Sequence, residues 1–102
     1  MGTIIDAVCT KCNFQSRGIL FGGGFRDRSP RVPARRKDNG AFEVSNQLND
    51  ENLNFYHHPS MYKGELQGYG IQHMDIMLNK ENNLCPSCGN YSMQFIDTGN
   101  WD

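Results

Sequence analysis

Cys9-Thr10-Lys11-Cys12-Asn13 and Cys85-Pro86-Ser87-Cys88-Gly89 hold all four cysteines of the chain, as two matched Cys-x-x-Cys units. Two cysteines with two residues between them reach one metal ion when the intervening backbone makes a tight turn, and zinc takes four thiolates tetrahedrally at about 2.3 Å each. The residue after the second cysteine of such a turn often adopts a left-handed conformation, which glycine enters without steric cost. Gly89 fills that place in the second unit, and Asn13, the next most tolerant residue type, fills it in the first. Pro86 pre-sets φ for its turn. Four cysteines with none to spare fit one closed site with Cys9, Cys12, Cys85 and Cys88 as ligands to a single Zn²⁺.

Two such knuckles on β-hairpins that share a metal resemble the zinc-ribbon group. The run from Cys9 to Phe25, a knuckle followed by a short strand and a glycine stop, is also similar to small bacterial zinc-ribbon proteins. The resemblance covers mainly residues 7–25 and 84–98, and it implies a structural metal site rather than an activity. It departs from the group in spacing, because residues 13–84 separate the pairs where a compact site has about 15–20 residues. The intervening chain must therefore leave and return. Cys85-Pro86-Ser87-Cys88-Gly89 also resembles a rubredoxin knuckle, which would hold iron for electron transfer; Asn13 and the long spacing stand against it. A thioredoxin-like dithiol would need a βαβ setting, and the residues around these cysteines do not form that pattern.

Composition explains why such a chain would use a metal. Only 37% of its 102 residues are hydrophobic, against about 45–50% in ordinary soluble domains. A core this lean barely offsets a backbone ordering cost of about 1–2 kcal/mol per residue, and domains in that position commonly carry disulfides or a structural metal. The length predicts a single domain over residues 1–102. No apolar run approaches the roughly 20 residues of a membrane helix. A formal net charge of −1 argues against a generally basic nucleic-acid binder. Met1-Gly2-Thr3-Ile4-Ile5-Asp6 shows neither a basic leader nor an apolar signal core, and Asp6 stands where a myristoylation signal wants Ser or Thr. These features predict a cytoplasmic protein with reduced thiols.

The expected fold is mainly β: a zinc ribbon of two knuckle-bearing hairpins, residues 2–24 and 69–98, joined by a long polar insertion over residues 25–68. Ile4, Ile5, Val8, Phe14, Ile19, Leu20 and Phe21 supply the bulk of the first hairpin, although their alternation is untidy. Tyr91, Met93 and Phe95 alternate with Ser92, Gln94 and Ile96, the cleanest strand pattern in the chain. Met74, Ile76 and Leu78 suggest another strand, with a helix through Ile71, Met74 and Leu78 as the competing reading. Within the insertion, Pro30 and Pro33 oppose a helix or a central strand, and Ser45–Leu53 predicts one short helix capped by Ser45 or Asn46.

Arg26, Arg28, Arg31, Arg35, Arg36 and Lys37 crowd into residues 26–37 with only Asp27 against them. Clustered arginines suit phosphate oxygens, so this run is a candidate polyanion or nucleic-acid patch, flanked by Phe25 and Phe42; the alternative is a solvated loop. His57-His58-Pro59 reads as an exposed turn, and His73 as a surface residue on a strand. Gly22-Gly23-Gly24 reads as a turn or bulge, since no Lys-Ser or Lys-Thr follows it. Tyr56, Tyr62, Tyr69 and Trp101 suit core or rim packing. No histidine pairs with a nucleophile at a useful spacing, and four committed cysteines leave none free to attack a substrate. The sequence therefore predicts a non-catalytic binding or adaptor module whose partner, a protein or a nucleic acid, is met through the insertion.

Overall fold

Strand β1 (Gly2–Cys9) delivers the first knuckle, and β2 (Gln15–Phe21) runs back beside it. The computed structural model describes residues 2–23, 30–70 and 76–101. Within them follow β3 (Val32–Arg36), β4 (Phe42–Ser45), β5 (Leu53–Phe55), a 3-10 turn over Pro59–Met61, β6 (Tyr69–Gly70), β7 (Met77–Leu78), β8 (Asn83–Leu84) and β9 (Tyr91–Trp101). All pairings are antiparallel. They form one sheet in the order β2-β1-β9-β8, a second in the order β4-β3-β5, and a two-stranded β6-β7 ladder. The mainly β expectation holds, and the two knuckle hairpins, β1–β2 and β8–β9, lie side by side through the long β1–β9 pairing.

Two irregularities account for the untidy alternation of the first hairpin. Ile5 pairs with Ile19 and Ala7 with Ser16, so Arg17 and Gly18 together face Asp6. Gly18 takes a positive φ of 69° there, which glycine adopts without steric cost, and the Asp6 carboxylate accepts its N–H at 3.0 Å while pairing with Arg17 at 3.1 Å. On the other side of β1 the register shifts between Ile4, opposite Gly99, and Ile5, opposite Asp97. From Ile5 on β1 alternates regularly, and Ile5, Ala7 and Cys9 share one buried face with Ile19 and Phe21.

The insertion is no simple polar excursion. Val32, Ala34, Leu53, Phe55, Tyr56 and Met61 enter the same core as Ile5, Phe21, Met93 and Phe95. Tyr56 is the link between the two sheets: its ring meets Phe95 edge-on at 5.4 Å and Phe42 at 5.8 Å, and its hydroxyl donates to the Leu84 carbonyl at 2.6 Å. Phe42 in turn meets Phe14 of the first knuckle at 5.6 Å.

Several expectations need correction. Pro33 lies in β3, the central strand of its sheet. It is tolerated because it sits where pairing with β5 ends: the Tyr56 N–H donates to the Pro33 carbonyl at 3.0 Å, and the chain turns away there. The helix expected over Ser45–Leu53 is absent. Ser45 Oγ accepts the Gln47 N–H at 3.1 Å and Asp50 Oδ1 accepts the Asn52 N–H at 2.9 Å, so side chains take the backbone donors that a helix would use. The second hairpin is tighter than 69–98, with β8 beginning at Asn83 and β6–β7 forming a separate ladder. Of the Met74–Leu78 pattern, only Met77–Leu78 is a strand among the described residues, and Ile71 to Asp75, with His73, lie outside them.

Candidate metal centre

β1 carries Cys9 to one end of the sheet, and β8 leads into Cys85 beside it. In the first knuckle the Cys9 N–H donates to the Phe14 carbonyl at 3.0 Å, closing the loop that holds Cys12. In the second, the Gly89 N–H donates to Cys85 O at 3.0 Å and the Cys85 N–H to Asn90 O at 2.8 Å. Gly89 has the expected positive φ of 75°. Asn13 does not share it: among the described non-glycine residues only Asn82 has a positive φ, at 59°, so the first knuckle closes without a left-handed residue. The Thr10 N–H and hydroxyl both donate to the Ser92 carbonyl, at 2.9 and 3.1 Å, and fasten one knuckle to the other hairpin.

The four sulfurs all lie within 4.8 Å of one another. Cys9 Sγ is 3.7 Å from Cys88 Sγ, and Cys12 Sγ is 3.6 Å from Cys85 Sγ. Four thiolates around a tetrahedral ion at about 2.3 Å have sulfur–sulfur edges of about 3.8 Å. The thiols are free rather than disulfide-bonded. This donor set fits a soft or borderline metal ion held by Cys9, Cys12, Cys85 and Cys88. Cys85 and Cys9 are buried, Cys12 is half-buried and Cys88 is exposed, so the cluster meets solvent chiefly at Cys88.

Burial pushes the Cys85 thiol up to about 12. Burial also raises Cys9, but the Ser92 hydroxyl and the Lys11 and Cys12 N–H groups together outweigh it and bring this thiol down to about 6. The N–H of Asn90, aided by its side chain, lowers Cys88.

Ser92 is the functional residue that the sequence hides. By alternation with Met93 and Phe95 it belongs on the outer face. Leu84 pairs with Tyr91 and Asn83 with Met93, leaving Ser92 without a counterpart on β8. At that bulge both Ser92 and Met93 are buried. The Ser92 hydroxyl lies 3.1 Å from Cys9 Sγ and 3.9 Å from Cys88 Sγ.

The basic run is divided among different surroundings. Arg26 and Arg28 lie outside the described residues. The Arg31 guanidinium stands over the Trp101 ring at 5.7 Å from its centroid, while the Trp101 Nε1–H donates to the Phe21 carbonyl at 3.2 Å. Arg35 packs against Gly40. Arg36 is held by two hydrogen bonds to Asp38, at 3.0 and 2.9 Å, and lies 3.5 Å from Glu43. Lys37 is exposed. His57 and His58 are exposed in a turn, as expected, and neither approaches the sulfurs closely enough to join the cluster.

No protein-family profile, curated protein or solved structure matches this chain. Among the described residues no helix is long and apolar enough to cross a membrane.

Proposed function

We propose that the chain is a non-catalytic structural zinc module, with one Zn²⁺ held by Cys9, Cys12, Cys85 and Cys88. The observation that supports it is the four-sulfur cluster, whose 3.6 and 3.7 Å edges suit a tetrahedral thiolate ion. Zinc bound there is a strut between the two hairpins. A structural zinc supplies an apparent 10–16 kcal/mol or so to folding, which offsets the lean apolar composition. With all four positions taken by protein sulfur, the ion has no place for a substrate or an activated water. The module's task is then to present the three-stranded insertion sheet and its turns to a partner.

Elemental analysis of untagged protein, with its visible absorption spectrum, tests the metal. One zinc per chain and a colourless solution are expected. Iron with thiolate charge-transfer bands would replace the reading with rubredoxin-like electron transfer. Removing the metal with a chelator, or replacing Cys85 with Ser, is expected to abolish cooperative unfolding. A metal-free chain that still melts at the temperature of the loaded one would defeat the structural role.

A further inference from the structure

Outside the cysteine cluster, the structure has a cleft of about 430 Å³ lined by Lys37, Leu48, Leu53, Asn54, Phe55, His57, His58 and Ser60. It lies where the end of β3, the Gln47–Asn52 turns, β5 and the 3-10 turn meet, and no metal-site residue lines it. The volume falls within the roughly 300–1,000 Å³ of small-molecule sites.

The chemistry of the walls is one-sided. Leu48, Leu53 and Phe55 give an apolar floor, and the His57 ring stacks on Phe55 with centroids 5.8 Å apart and planes 12° from parallel. The polar lining contains no carboxylate. Lys37 brings an ammonium group with no ion-pair partner among the described residues. His58 Nδ1 accepts the Ser60 N–H at 3.2 Å and lies 2.9 Å from Ser60 Oγ, so the neutral ring keeps its proton on Nε2 as a donor. Asn54 Nδ2 donates to Ser60 Oγ at 3.4 Å, which fixes the turn that carries both histidines. An ammonium and an imidazole N–H beside a flat, apolar ring stack are complementary to an anion attached to a planar apolar body.

We propose that this cleft is a binding site for a small organic anion, a phosphate or carboxylate carried on a planar ring. Lys37 and His58 meet the anionic group, and the ring lies against the exposed His57 ring and the half-buried Leu48, with the buried Leu53 and Phe55 beneath them. The site is built from the insertion and is independent of which metal the cysteines hold.

The test is a titration of the metal-loaded full chain followed by two-dimensional amide NMR. The probes are adenosine monophosphate and benzoate, with adenosine and benzamide as uncharged counterparts. Saturable shifts confined to Lys37 and residues 48–60 are expected with at least one anion and not with its uncharged counterpart. A response to the phosphate probe alone or the carboxylate probe alone decides which group the site takes. Lys37→Ala and His58→Ala should each weaken binding about tenfold, the effect of losing one charge-assisted contact, while their amide spectra elsewhere stay unchanged. Equal shifts from charged and uncharged probes, shifts spread over the whole surface, or no shift at millimolar concentration would overturn the proposal. Inorganic phosphate binding as tightly as adenosine monophosphate would do so as well, because the ring would then contribute nothing.

Discussion

Replacing Ser92 with Ala should weaken zinc binding by roughly 10- to 100-fold without changing the four ligands. The hydroxyl lies 3.1 Å from Cys9 Sγ in a residue that is 8% exposed, so water cannot easily take its place. A hydrogen bond to a charged group contributes about 1.5–3 kcal/mol, and each 1.4 kcal/mol or so is tenfold in affinity. Four thiolates around Zn²⁺ leave two excess negative charges, which makes each donor to sulfur valuable when the metal is bound. The substitution is clean because the Ser92 carbonyl, which accepts from Thr10, is retained in alanine. Thr10→Val is the control. It removes the 3.1 Å bond to that carbonyl and leaves the Ser92 hydroxyl beside Cys9 Sγ in place, and should change affinity by less than about threefold. Competition against a chromophoric zinc chelator reads both variants. An unchanged affinity for Ser92→Ala, or an equal loss in Thr10→Val, would refute the role assigned to the hydroxyl.

Tyr56→Phe should lower the melting temperature of the metal-loaded chain by several degrees, since the Leu84 carbonyl loses its 2.6 Å donor at a cost of about 1–3 kcal/mol; an unchanged melt would mean that the hydroxyl adds nothing to the ring packing that joins the sheets. Gly68→Ala should destabilise by more than about 2 kcal/mol, because a Cβ would coincide with the Leu78 carbonyl oxygen and backbone cannot retreat as a side-chain tip can. Gly99→Ala, whose Cβ would meet only Ile4 Cδ1 at 3.9 Å, should stay within about 1 kcal/mol, and chemical denaturation compares the two. Apparent zinc affinity should fall as pH falls from about 8 to about 6, because every ligand must be deprotonated to bind. In the metal-free chain Cys85, raised to about 12, holds its proton throughout that range and so competes with the metal at every pH, whereas Cys9, lowered to about 6, gives its proton up over most of it and adds less to the slope. Chelator competition at several pH values measures the slope, and a flat profile over that range would show that thiolates are not the ligands.

The two Cys-x-x-Cys units determined a good deal by themselves. Local spacing, Gly89 and the flanking β-branched and aromatic residues are sufficient to indicate two hairpins and the two sulfurs that each knuckle presents, because a knuckle is closed by its own backbone. The distance between the units says nothing about their meeting; the β1–β9 pairing decides that, residue by residue from Gly2↔Trp101 to Cys9↔Met93. Ser92 was hidden for a related reason. Period-two alternation assigns it to the outer face, and only its lack of a partner on the short β8 turns it inward. Pro33 misled in the opposite direction, since its missing N–H matters only if a partner strand continues past it, and β5 ends at Phe55. The insertion reads as merely polar because its apolar residues are sparse and unevenly spaced. Tyr56 shows how it joins the core: one aromatic side chain with a hydroxyl bridges two sheets by packing on Phe95 and donating to Leu84, contacts that only the folded chain brings together.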